Sequence, residues 1–377
     1  MKAFKTKSFA CILGLYILLC LFAACGVRDD EYTYVQDYFS EIAESEHEVY
    51  DYEANDTELD NNDGEVIEPG VYVDTTDEVT IRNFVDERLE LVSLVFRLAN
   101  RPGHSDVDTV FQRTLAEVFY DFRTHPVVLY LERYQTIAFD AALRMAAHLN
   151  KIDGVFELAA NIDSLVSDPI GLVRWTRDNA PIFVELLNDF YIYTGFEEFF
   201  QNNMDYFLQR SLRFYDELYS QINFEWFAEH GLNLGSLRPV LHAGGSRSGF
   251  GARVYNSESV GRIAYAAIPA RSGHRGSHSF IIHEFSHSLG NPLAEIWYTE
   301  NENFRQWAGD SVDHINMPQY ALSMIMAYEY VTRAFELLYM MENTESNWRM
   351  YLINFRFTGF PYMEYVLDIL IDHISAK

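Results

Sequence analysis

The pentad His283-Glu284-Phe285-Ser286-His287, set in the apolar run Phe280-Ile281-Ile282 … Phe285 … Leu289, constrains this chain more than any other feature. Residues four apart stack on one face of a helix, so the two imidazoles point the same way and can reach one zinc ion. Glu284 is offset round the helix, better placed to take a proton from a metal-bound water than to bind the metal. Two histidines and a glutamate at these offsets make the ligand-and-base set of a zinc hydrolase. With 12 histidines in 377 residues a pentad alone can arise by chance; the helical, apolar context sets this one apart.

Two imidazoles do not complete a catalytic zinc site, and cysteine cannot supply the rest. All three cysteines, Cys11, Cys20 and Cys25, lie near the N-terminus. Any metal in the body must therefore be held by histidine and carboxylate. The metzincin spacing has its glycine in Gly290, but Leu293 stands where a third histidine would be. The short gluzincin spacing falls near Gln306 or Trp307, and neither is a carboxylate. Glu295, Glu300, Glu302, Asp310, Asp313 and His314 occupy what reads as a polar, loop-like stretch. Further on, Gln319 to Met341 reads as a long apolar helix with Glu329 at its middle. A carboxylate among Met, Tyr, Val and Ala needs a partner, because desolvating a lone charge costs too much. Arg333, four residues on, shares its face. Glu329 thus has two readings: an ion pair with Arg333, or a zinc ligand with Arg333 orienting it or binding a substrate carbonyl or carboxylate.

The N-terminus carries a different message. Lys2, Lys5 and Lys7 precede an apolar stretch, Phe9 to Ala24, that ends in Leu21-Phe22-Ala23-Ala24-Cys25. This resembles a bacterial lipoprotein signal in which Cys25 is acylated, although Phe22 replaces the usual aliphatic residue. From Asp29 to Ile81 there is no Lys or Arg while acids recur, as expected of a solvated tether. Much of the formal charge of -28 sits there. That balance argues against nucleic acid and against an electrostatic grip on anionic lipid. The expected organisation is a signal over 1–25, a tether over 26–80, a helical part over 81–230 and a catalytic part over 231–377, the last two as subdomains or one domain.

The fold class expected is α+β, predominantly helical. Helical spacing runs from Arg82 to about Glu229, with helices expected over Leu89–Ala99, Val107–Phe122, Tyr130–Leu149, from Pro181, and through the aromatic stretch after Gly195. Its many rings read as core filling. After Gly231, Pro239–His242, Phe250–Tyr255 and Arg262–Ile268 read as a small antiparallel sheet preceding the pentad helix. Arg262–Ile268 is the candidate edge strand for an extended substrate. Arg271–Ser277 reads as a loop, and Gly290-Asn291-Pro292 as the stop of the pentad helix. His274 and His278 are candidate substrate contacts, Asn291 a cap or site neighbour, and Tyr298, Tyr328 and Tyr330 candidate oxyanion donors.

His283-Glu284-Phe285-Ser286-His287-Ser288 followed by Asn291-Pro292, with Glu329-Tyr330-Val331-Thr332-Arg333-Ala334 downstream, resembles a bacterial family known as a domain of unknown function and regarded as gluzincin-like zinc metallopeptidases. Leu94–Ala99, the Tyr134–Leu149 helix and the Phe196–Phe200 cluster share the likeness, which spans most of Arg82 to Asp372. The resemblance implies a zincin-like core, zinc on His283, His287 and Glu329, and Glu284 as general base. The function expected is a lipid-anchored, extracytoplasmic zinc peptidase acting on peptide or protein substrates, with Glu284 and Arg333 as catalytic residues. A non-catalytic surface lipoprotein that binds glycan or a protein, and a zinc amidase acting on cell-wall peptides, are the alternatives.

Overall fold

The computed structural model describes residues 84–376, apart from 102, 105–108, 134–139, 160–161, 167–173, 233–236, 245–249, 257–260, 270–276, 315–321 and 345–347. The signal, the tether and His274 lie outside the described residues, as does the side chain of His278. No helix among the described residues is long and apolar enough to cross a membrane.

Helices dominate, with two small sheets, so the class is α+β. The first helix, α1 (Glu87–Leu98), is started by Asp86, whose carboxylate accepts the Arg88 amide, and it is buried on nearly every side. Next, α2 (Val110–Val118) begins with a capping box in which Thr109 and Gln112 satisfy each other's amides. A 3-10 turn (Tyr120–Thr124), α3 (Pro126–Arg133) and α4 (Ala141–Ala147) follow.

The chain then departs from the all-helical expectation. Strands β1 (Leu149–Ile152) and β2 (Val155–Leu158) pair antiparallel around Asp153-Gly154, both at positive φ (49° and 83°). This is the two-residue turn whose twist matches a hairpin, and it wants Asp-Gly. The dipeptide was visible in the sequence but is masked by flanking helical spacing.

After a short turn, α5 (Asp163–Val166), come α6 (Asn179–Thr194), α7 (Phe196–Asn202), α8 (Met204–Glu217), a 3-10 turn (Tyr219–Gln221) and α9 (Phe224–Glu229). Their rings are core: Phe183, Phe190, Phe196, Phe207 and Phe227 are almost fully buried. The ring contacts run Phe111–Phe207, Phe119–Phe199 and Phe200–Phe207 at 4.8 to 5.3 Å.

The second sheet forms where expected but with another topology. Strands β3 (Leu237–His242), β4 (Phe250–Asn256) and β5 (Gly261–Pro269) stand in the order β3-β5-β4. β4 and β5 are antiparallel, whereas β3 and β5 are parallel. The sheet is therefore mixed, and Arg262–Ile268 is its central strand. Both its backbone edges are paired, so it cannot be the edge on which a substrate strand adds. Local alternation identifies a strand but says nothing of its neighbours.

The C-terminal part is helical: α10 (Ser277–Glu300), α11 (Glu302–His314), α12 (Ser323–Asn343), α13 (Trp348–Phe357) and α14 (Met363–Ser375). Two expectations fail here. The pentad helix runs through Pro292 to Glu300, and Glu302 to His314 is helix rather than loop. Gly290 is not a stop. A Cβ there would lie 2.9 Å from the backbone N of Thr332 and 3.1 Å from its Cα, so glycine lets α10 and α12 approach backbone to backbone. Residues from Val79 to Lys377 form one compact unit around a shared core.

Candidate metal centre

The site is built by α10 and α12, which pack antiparallel along their length. Residue numbers rise on one helix as they fall on the other: His283 faces Glu336, His287 faces Thr332, and Glu295 faces Tyr328. α10 is anchored by its apolar face, where Ile281, Ile282 and Phe285 are buried and Phe285 meets Phe224 and Phe227 of α9. That anchoring turns His283, Glu284 and His287 towards α12. From α12, Glu329, Thr332, Arg333 and Glu336 return along one face, at spacings of three, four and seven.

Among the described residues, His283, His287 and Glu329 form the one group whose ligand atoms all lie within 4.8 Å of one another. Nε2 of His283 is 3.7 Å from Oε2 of Glu329, and Nε2 of His287 is 3.5 Å from Oε1. These separations are long for hydrogen bonds, but donors ~2.0–2.2 Å from a tetrahedral zinc stand ~3.4 Å apart. Glu329 Oε2 is buried and makes no hydrogen bond, although the Arg333 guanidinium is 3.1 Å away. The residues present therefore fit a metal ion: two imidazole nitrogens and a carboxylate meet with spare acceptor capacity between them. The Glu329–Arg333 ion pair exists as well. It explains the arginine but not why both imidazoles turn to the same carboxylate.

Each imidazole is fixed from behind. His283 Nδ1 lies 3.2 Å from Glu336 Oε2, and His287 Nδ1 lies 3.0 Å from Asn291 Oδ1 and 2.9 Å from Thr332 Oγ1. With Nδ1 so engaged, Nε2 is the nitrogen offered to a metal. Glu336 and Thr332 escaped the sequence reading. The signal for Glu336 was the one used for Glu329, a carboxylate flanked by apolar residues, here Phe335 and Leu337.

Electrostatics favours a neutral His283 ring beside an anionic Glu329. Burial pushes the His283 ring well below the ordinary histidine range. Burial works to raise the Glu329 carboxyl, but Arg333 and the two imidazoles outweigh it and hold it below the usual value. Glu284 is 6% exposed, and burial, with the Glu329 charge beside it, pushes its carboxyl well above the usual range. Burial likewise lifts Glu336 to about 7. Arg333 lies over the rings of Phe355 and Phe360 at 4.8 and 4.7 Å, which fixes the guanidinium beside Glu329.

Other candidates are placed elsewhere. Tyr298 is bonded to Ser323, Tyr328 to Glu295, and fully buried Tyr330 to Ser311, so each hydroxyl is committed away from the histidines. Asn291 is a partner of His287, not a helix cap. Glu295, Glu300 and Glu302 are exposed and outside the cluster. Comparison with known protein-family models, curated proteins and solved structures finds no match to this chain.

Proposed function

We propose that the chain is a zinc-dependent hydrolase of the gluzincin type, cleaving peptide bonds, with His283, His287 and Glu329 as ligands. One observation carries the reading: two imidazole nitrogens and a carboxylate from separate helices converge, with a buried glutamate next to one of them in sequence. Zinc suits a donor set of two imidazoles and a carboxylate. When bound it supplies Lewis acidity for the scissile carbonyl and lowers the pKa of water.

The chain's residues do the rest. Glu284 accepts the proton of the attacking water and returns it to the leaving amine. It must be ionised to do so, which a cation held by the two imidazoles would favour. Arg333 holds the second oxygen of Glu329 and keeps that carboxylate in place. The resemblance of the first residues to a lipoprotein signal adds attachment outside the cytoplasm through a lipid on Cys25.

Metal content and hydrolysis of a peptide library test the reading together. Glu284→Gln should keep zinc and lose activity by ~10²–10⁴ or more. Glu329→Ala should lose zinc, whereas Glu302→Ala, changing an exposed acid on α11, should not. Full activity in Glu284→Gln, or unchanged zinc in Glu329→Ala, would remove that residue from the mechanism.

A further inference from the structure

The two imidazoles are backed by different chemistry, and the difference has a consequence for how the centre holds its ion. Behind His283 stands a single group, Glu336, with 4% of its side chain exposed and Oε2 3.2 Å from Nδ1. Among the described residues no other hydrogen bond to the Glu336 carboxyl is seen. Behind His287 stand two neutral oxygens, Asn291 Oδ1 at 3.0 Å and Thr332 Oγ1 at 2.9 Å. One comes from each helix.

Glu336 is not itself a ligand of the same ion, because it meets the ring nitrogen remote from Glu329. With Nε2 turned to Glu329, Nδ1 carries the hydrogen and donates it. When the Glu336 carboxyl is ionised this is a charge-assisted bond, roughly twice as strong as a neutral one. Burying a carboxylate costs several kcal/mol, and a neutral residue would fill the same space. At His287 one ring hydrogen is shared by two acceptors, so loss of either leaves the other in place.

We propose that Glu336 is a positioning residue that fixes the tautomer and angle of His283, and that the centre is held asymmetrically, His283 through a single acceptor with no second oxygen behind it and His287 through two interchangeable oxygens. The inference rests on the metal-centre reading above.

Zinc dissociation constants of the full-length protein, by chelator competition, test it, with the thermal midpoint of the metal-free form as folding control. Glu336→Ala is expected to weaken zinc ~10–100-fold. Glu336→Gln keeps an acceptor for Nδ1 and should recover most of that loss. Thr332→Val should shift affinity only a few-fold. Wild-type affinity in Glu336→Ala, or an equal loss in Thr332→Val, overturns the asymmetry. Wild-type protein that takes up no zinc overturns the metal-centre reading instead. If the alanine variant fails to fold, the zinc affinity of Glu336→Met, which fills the space but removes the acceptor, decides: a ~10–100-fold loss supports the role and wild-type affinity refutes it.

Discussion

Two buried carboxylates in this molecule live under opposite conditions. Glu90, on α1, is 3% exposed and accepts the amides of Ala243 and Gly244 at 2.8 and 2.7 Å, while Arg97 reaches the Gly244 carbonyl at 2.7 Å. The α1 cluster spends its carboxylate on the backbone that follows β3. Glu329, on α12, is 8% exposed, faces two imidazoles at separations longer than a good hydrogen bond, and has an oxygen with no such bond at all. Desolvation costs both groups about the same kind of energy. The first has both oxygens filled by amides already in the fold, whereas the second is held by the Arg333 ion pair and keeps an oxygen without a hydrogen bond beside two imidazoles. A self-satisfied buried acid reads as architecture; one left with spare capacity beside two nitrogens reads as a binding site.

That contrast can be broken by experiment. The largest effect expected is stabilisation of the wild type by zinc: at a thousandfold excess over the dissociation constant, linkage gives about 4 kcal/mol. A thermal or urea titration with and without zinc reads it, and His287→Ala should abolish it. Equal stability in both conditions would make the Glu329 cluster as self-sufficient as that of Glu90.

The next test concerns Glu90 itself. Burial, against its two amide bonds, lifts its carboxyl from 4.5 to about 7. An acid with a raised folded-state pKa keeps its proton in the native protein after the unfolded chain has released it. Stability therefore falls as pH rises from about 4.5 to 7, and is flat outside that window. The stability difference between wild type and Glu90→Gln should change by up to ~3 kcal/mol across it, to the disadvantage of the wild type at the upper end. A pH-independent difference would mean that the amides and Arg97 keep Glu90 ionised throughout.

Smaller again is Gly290→Ala. Its methyl would stand 2.9 Å from the Thr332 nitrogen, on backbone that cannot swing aside. Overpacking of this kind costs ~1–3 kcal/mol, and forcing the helices apart should weaken zinc binding too. Loss of stability with unchanged zinc affinity would separate the helix contact from the site. The smallest effect belongs to Lys151, which meets Glu87, Glu197 and Tyr191 at 3.1, 2.8 and 2.7 Å near the surface. Screening limits such networks, so Lys151→Met should cost about 1 kcal/mol or less by denaturant titration.

The same contrast shows what could be read in advance. His283, Glu284 and His287 announce themselves by spacing on one helix, and Glu329 by the cost of burying a charge in an apolar run. Both are local properties. The roles of Gly290 and Thr332 depend on a neighbouring helix, and no pattern within one segment records which helix that is. Gly290-Asn291-Pro292 follows the rules of a helix stop, yet the packing gained against α12 carries the helix through. The order of β3, β5 and β4 is hidden for the same reason, since alternation fixes a strand's faces and leaves its partners open. Asp153-Gly154 is the exception, a local signal obscured by its surroundings.

The glycine contact between α10 and α12 has one last consequence. Both imidazoles and the carboxylate ride on regular helices locked together at Gly290 and Thr332, with no loop among them. An arriving ion would find its coordination sphere already assembled and would need no ordering of the chain. Capture should then be quick, with little change in heat capacity, unlike that of small zinc domains that fold only around their metal.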